Sequence, residues 1–230
     1  MMKTIGVLIF AVMILLSACQ QTSSNDIGST PVYQRYKVEF SADREVKAFA
    51  HFSENKDSDY KDIELEGEQK ITVNNHSMAY NDIDEQEDFS YSYSAVLGKG
   101  IKTVTFVFVR RKGTVYTNTV TADIIEPIAI PVGLQRIVSG QALVWEGAVA
   151  SSGEEIFAEL TKDGKDRYEL YNAVVDNDAK TIVFHDVPAG DNYTLTIKRL
   201  KEIPTQENDL PAKGKIQVFY YAIKSGIQVD

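Results

Sequence analysis

IKTVTFVFVRRKGTVYTNTVTADI, residues 101–124, alternates along most of its length. In an extended chain successive side chains point to opposite faces. Val104, Phe106 and Phe108 then fall on one side, and Thr103, Thr105, Val107 and Val109 on the other. Residues 114–124 are rich in β-branched side chains, which pack well on a pleated, half-buried surface. Arg110-Arg111-Lys112-Gly113 lies between the two runs and reads as a hairpin turn.

The same pattern extends in both directions. In YQRYKVEF, residues 33–40, Tyr36, Val38 and Phe40 share a face. Phe89, Tyr91, Tyr93 and Ala95 alternate with Ser90, Ser92 and Ser94. Downstream, strands are predicted over Ala142 to Glu146, Glu155 to Leu160, Arg167 to Tyr171, Lys180 to Phe184, Tyr193 to Leu200 and Lys215 to Lys224. Ser152-Gly153, Asp163-Gly164, Asp176-Asn177-Asp178 and Ala189-Gly190 punctuate them as turns. No helical periodicity competes. Residues 125–136, IEPIAIPVGLQR, carry Pro127, Pro131 and Gly133. Proline cannot donate to a ladder, so this stretch reads as a connector between two halves. Many short strands at this spacing predict an all-β chain of two tandem Greek-key sandwiches, over 32–126 and 127–230.

The N-terminus reads MMKTIGVLIFAVMILLSAC. Lys3 precedes an uncharged run from Ile5 to Leu16, too short for a comfortable membrane span but suited to the apolar region of a signal peptide. Leu16-Ser17-Ala18-Cys19 resembles the lipobox of bacterial lipoproteins. That resemblance implies a signal peptide over 1–18, cleavage before Cys19, and lipid on the Cys19 thiol. Two or three acyl chains anchor durably where one is marginal. Cys19 is the sole cysteine, so no internal disulfide is available and stability must come from packing. Gln20, where an aspartate would signal inner-membrane retention, resembles the outer-membrane class. Residues 19–31 are polar and rich in turn formers, and read as a lipidated flexible tether.

IVFHDVPAGDNYTLTI, residues 182–197, resembles a corner in prealbumin-like and immunoglobulin-like bacterial modules. There a strand ends in Val-Pro-Ala-Gly and the next opens with a tyrosine. The resemblance implies that Pro188 sets the turn and that the Tyr193 hydroxyl locks it. It bears on fold, since such modules serve many functions.

Chemistry is sparse. His51, His76 and His185 form no metal-binding spacing, and no nucleophile elbow, phosphate loop or dinucleotide fingerprint occurs. Asp57-Ser58-Asp59, Asp82-Ile83-Asp84 and Asp176-Asn177-Asp178 space carboxylates two apart, as calcium loops do, but none has the EF-hand order. Polar turns use the same residues. Tyr33, Tyr80 and Tyr168 are candidates for an exposed carbohydrate platform; sheet cores and rims use tyrosine equally well. The formal net charge of -9 disfavours nucleic acid. The expectation is a non-enzymatic lipoprotein, without cofactor or metal, held to a membrane through Cys19. It would bind or assemble with an envelope protein or glycan. The alternatives are a carbohydrate- or ligand-binding accessory lipoprotein and a hydrolase without a linear motif. A contiguous exposed aromatic patch would favour the first alternative, and a pocket of convergent carboxylates the second.

Overall fold

The alternation around Phe106 is met by a hairpin. Thr103–Val109 pairs antiparallel with Val115–Thr121, so that Val104 faces Val120 and Phe106 faces Asn118. Val104, Phe106 and Phe108 are wholly buried. The Arg110 amide donates to the Thr114 carbonyl at 2.7 Å, and Lys112 takes the left-handed conformation at φ 66°. The turn therefore lies where Arg110 to Gly113 predicted it. This computed structural model describes residues 22–23, 30–54, 62–81, 92–163 and 168–230. Cys19, the signal segment, Asp57 to Asp59 and Asp82 to Asp84 lie outside the described residues, as does most of the expected tether; its described part, Thr22–Ser23, is not free but pairs parallel with Ile63–Glu64, where backbone hydrogen bonds hold it.

The described chain is an all-β sandwich fold, its only helical pieces being two three-residue 3-10 turns. Its largest sheet runs, edge to edge, Tyr168–Asn172, Glu154–Asp163, Gly190–Asp209, Lys213–Val229, Tyr33–Ser41, Glu45–Ser53, Ser92–Lys99 and Ala79–Asn81. Arg136–Ile137 adds a short parallel pairing to Lys213–Val229. Two smaller sheets pack on one face of this large one. The sheet holding the 103–121 hairpin covers Tyr36, Val38, Phe52, Ile216 and Val218. There Tyr36 stacks on Phe106 and Phe52 lies against Phe108, each pair with ring centroids 4.5 Å apart. The three-stranded sheet of Ala142–Val144, Thr181–Val183 and Val174–Asp176 lies over Tyr193, Leu195, Ile197, Ile227 and Val229. Each such aliphatic or aromatic side chain contributes roughly 1.5–3 kcal/mol on burial, and these two clusters stand in for the missing disulfides.

The C-terminal hairpin ties the halves together. Its strands are 20 and 17 residues long, well beyond Tyr193 to Leu200 and Lys215 to Lys224. Along the inward face of the first strand, Leu195 and Ile197 belong to one core and Ile203 packs on the other. The line drawn at 125–136 falls between the two apolar clusters, with Ile125 in the first and Ile128 in the second. Yet Ile216 and Val218, from the C-terminal half, are buried in the first cluster. Pro204 does not break the strand. The backbone neighbour on its outer side, Glu154–Asp163, ends its pairing at Lys201, so Pro204 sits on an edge that needs no amide. Beyond it the Gln206 and Glu207 side chains accept from the Thr119 and Thr117 amides, covering the free edge of Val115–Thr121.

The hairpin tip also fixes where the chain enters the fold. Asp209, 6% exposed, accepts from the Val32 amide at 2.8 Å, the Tyr116 hydroxyl at 2.9 Å and the Arg110 guanidinium. Arg110 also donates to the Thr30 carbonyl. The predicted corner is present as well: the Tyr193 hydroxyl donates to the Pro188 carbonyl at 2.8 Å.

Candidate functional site

Two cores occupy one face of the large sheet, so the opposite face is left to build a surface. Cross-strand register sets what it carries. Phe157 pairs with Lys198, and Lys198 with Tyr221. One step along, Leu200 pairs with Phe219, and Phe219 with Glu39. Lys37 opposes both Gln217 and Phe49. Neighbours in register on one face lie within reach of each other. Residues from positions 37 to 223 thus meet in a groove of about 1030 Å³.

The floor is aromatic and its charges are paired. Phe219 and Tyr221 have centroids 5.6 Å apart, with ring planes tilted by 34°. Phe157 stands 44% exposed at one side. Lys37 binds Glu39 at 3.0 Å, with its ammonium 4.4 Å from the centre of the Phe49 ring. Lys198 binds Glu159 at 2.8 Å and lies 6.0 Å from the Tyr221 ring. Between the two pairs the Tyr221 hydroxyl donates to Glu39 at 3.5 Å. Burial, then the Glu39 and Glu159 carboxylates, raise the Tyr221 hydroxyl far above the ordinary phenol range, so it stays a proton donor. The arrangement offers flat apolar faces flanked by fixed donors and acceptors. Of the four carboxylates in the lining, Glu39 and Glu159, nearest the rings, are each held by a lysine.

A second cavity, about 480 Å³, opens at the waist between the cores, against Phe40, Ile101, Ile125 and Tyr220. It is smaller and more apolar.

The residues singled out from sequence are placed elsewhere. Tyr33 is buried, 4% exposed, and Tyr80 is half-buried with its ring 5.1 Å from Tyr93. Neither forms an exposed platform; Tyr80 packs on the first core. The Tyr168 side chain lies outside the described residues. His51 is buried with Nε2 2.6 Å from Asp62, whereas His76 and His185 are exposed and apart. In Asp176-Asn177-Asp178, Asp176 accepts from the Ala179 amide and Asn177 bonds both the amide and the carbonyl of Ala150. That is the bonding of a turn that pins a neighbouring loop. Among the described residues no three His, Cys, Asp or Glu side chains group as a metal site, and no helix is long and apolar enough to cross a membrane.

The groove residues were not anticipated, although one signal was present. VFYYA, residues 218–222, is apolar on both faces of its strand, where a solvated face would carry polar side chains. Compared with known proteins, the chain matches no family model and no curated sequence.

Proposed function

We propose that the chain is an exported lipoprotein, cut before Cys19 and lipidated there, that works at the cell envelope by binding a partner rather than by turning over a substrate. The groove on the outer face of the large sheet is its binding surface. The observation that carries this reading is the aromatic row of Phe157, Tyr221 and Phe219 set among two lysine–glutamate pairs. Phe157 is exposed and Phe219 and Tyr221 are half-buried beside it, and a solvated sheet face would not gather such rings; an apolar patch rimmed by polar groups favours a ligand surface. The pairing of the floor carboxylates with lysines supports hydrogen bonding over acid–base work. Thr22–Ser23 pairs with Ile63–Glu64, so Cys19 lies about three residues from the fold and the groove stays within some tens of ångströms of the lipid, at about 3.3–3.6 Å per extended residue. That confinement raises its effective concentration toward ligands on the same envelope. The outer membrane is the address that Gln20 suggests.

The test places a photoreactive benzoylphenylalanine at position 157 or, as control, at position 174, where Val174 is 61% exposed outside the groove. Irradiated cells should give adducts at 157 and few at 174; equal labelling refutes the groove. Metabolic labelling with a palmitate analogue should be lost in Cys19→Ala, and labelling that persists refutes the anchor. Turnover of ester, peptide, phosphate or glycan substrates by the purified protein, abolished by Glu39→Gln or Glu159→Gln, would replace binding with hydrolysis.

A further inference from the structure

We infer that the ligand of this groove is an uncharged glycan, an inference that rests on the binding reading above. Four kinds of occupant compete, and the lining distinguishes them. An extended peptide gains most of its affinity by adding to a free sheet edge. The groove lies on the sheet's interior, where Gly190–Asp209, Lys213–Val229 and Tyr33–Ser41 each have a strand on both sides, so no backbone ladder is open to it. An acyl chain would strip water from Lys37–Glu39 and Lys198–Glu159 and return no hydrogen bonds, which is costly. A polyanion would approach a chain of net charge -9 and find the five basic side chains of the lining offset by four carboxylates.

A neutral sugar chain meets none of these penalties. Its C–H faces stack on the flat rings of Phe157, Phe219 and Tyr221. Its hydroxyls, donors and acceptors at once, match the Glu39 and Glu159 oxygens and the lysine ammoniums. An ionised carboxylate has about four lone-pair sites, more than one lysine fills. Five basic and four acidic side chains line the groove, so its local charge is nearly balanced inside an acidic protein. A ligand of no charge is the one that this balance does not penalise. Because the rings are already fixed by their strands, little ordering opposes binding.

The experiment uses the mature lipidated protein in detergent micelles on arrays of neutral oligosaccharides, uronic-acid oligosaccharides and extended peptides. Neutral glycans should bind, with affinity falling at least about tenfold in Phe157→Ala and Tyr221→Ala and unchanged in Val174→Ala. Phe157 is half exposed, so Phe157→Ala keeps the test valid even where Tyr221→Ala misfolds. Neutral glycan binding that ignores both groove variants overturns the inference. Groove-dependent binding of peptides or of uronic-acid chains alone also overturns the glycan class, yet leaves the binding reading standing. Silence on all three arrays, together with equal photolabelling at 157 and 174, overturns both.

Discussion

Where the hairpin passes from one core to the other, its inward face carries Arg199 in place of an apolar residue. The Arg199 and Glu154 side chains are 0% and 2% exposed, with Nη1 and Oε2 3.5 Å apart. The guanidinium also donates to the Ala148 carbonyl, the acceptor of the Trp145 indole at 3.4 Å. Glu154 has two further partners, the Lys201 ammonium at 3.6 Å and the Ser151 amide at 3.0 Å. The two ends of the pair are therefore unequal. Glu154→Ala leaves a buried cation with one carbonyl, a situation that costs about 3–5 kcal/mol. At about 2–4 °C per kcal/mol for a chain of this size, the melting temperature should fall by roughly 6–20 °C. Arg199→Met leaves Glu154 with Lys201 and Ser151 and refills the space with a flexible apolar stem, a change expected to stay within about 1.5 kcal/mol. Combining the two removes the stranded cation, so the double variant should be more stable than Glu154→Ala alone. Denaturant melts followed by circular dichroism and by fluorescence supply the cycle; Trp145, the only tryptophan and 1% exposed, reports on this junction directly. Equal losses from the two single variants, or a double variant that is simply their sum within about 0.5 kcal/mol, would refute the coupled pair.

Residues 30–126 expressed alone lack Ile216 and Val218, both wholly buried in the first core, and should give no cooperative β-type melt; a sharp melt would show that the first half folds without the hairpin. Tyr193→Phe strands the Pro188 carbonyl at the corner and should cost about 0.5–1.5 kcal/mol in a urea titration; no loss would mean that the bond contributes nothing. Alkaline stability should also be tyrosine-dependent. Burial pushes the Tyr93 hydroxyl up to about 12, with the Leu65 amide hydrogen bond pulling the other way. The folded form thus holds this proton harder than the unfolded chain, whose phenols titrate near 10. The contribution is complete below about pH 10 and is lost as the pH rises toward about 12. Denaturation midpoints should decline across that window, and less steeply in Tyr93→Phe; identical slopes would refute the assignment.

Strand identity was legible where one face is buried and the other wet. Val104, Phe106 and Phe108 show it, as does the turn from Arg110 to Gly113, and the Tyr193 corner was readable to the level of its hydrogen bond. Strand length was not, because Pro204 reads as a stop unless its edge position is known. The groove was illegible for a different reason. Lys37 and Tyr221 lie 184 positions apart in sequence and come together through the parallel pairing of Tyr33–Ser41 with Lys213–Val229, which leaves no local trace. Tyr33, a candidate for an exposed platform, is buried with its neighbour Gln34 because its strand is paired on both sides.

Under the proposed binding role, the placement of the groove separates stability from recognition. Both apolar clusters lie on the inner face of the large sheet, and the groove side chains project from the other side of the same strands. Tyr220 packs on the cores while Phe219 and Tyr221 face the groove, so neighbouring residues on one strand serve different ends. Substitution of Phe157 removes little that holds the fold together, since it is already half in water, whereas Phe219 and Tyr221 are half-buried. The geometry of that row is nonetheless stiff, because its strands are hydrogen-bonded on both sides and clamped from beneath by two cores. A rigid floor is suited to the proposed binding, but it does not explain why the hairpin is long. The groove residues of its first strand, Thr196, Lys198 and Leu200, all lie at or before Leu200; the length beyond serves the first half instead, where Ile203 packs on the core and Gln206 and Glu207 cover the edge of Val115–Thr121.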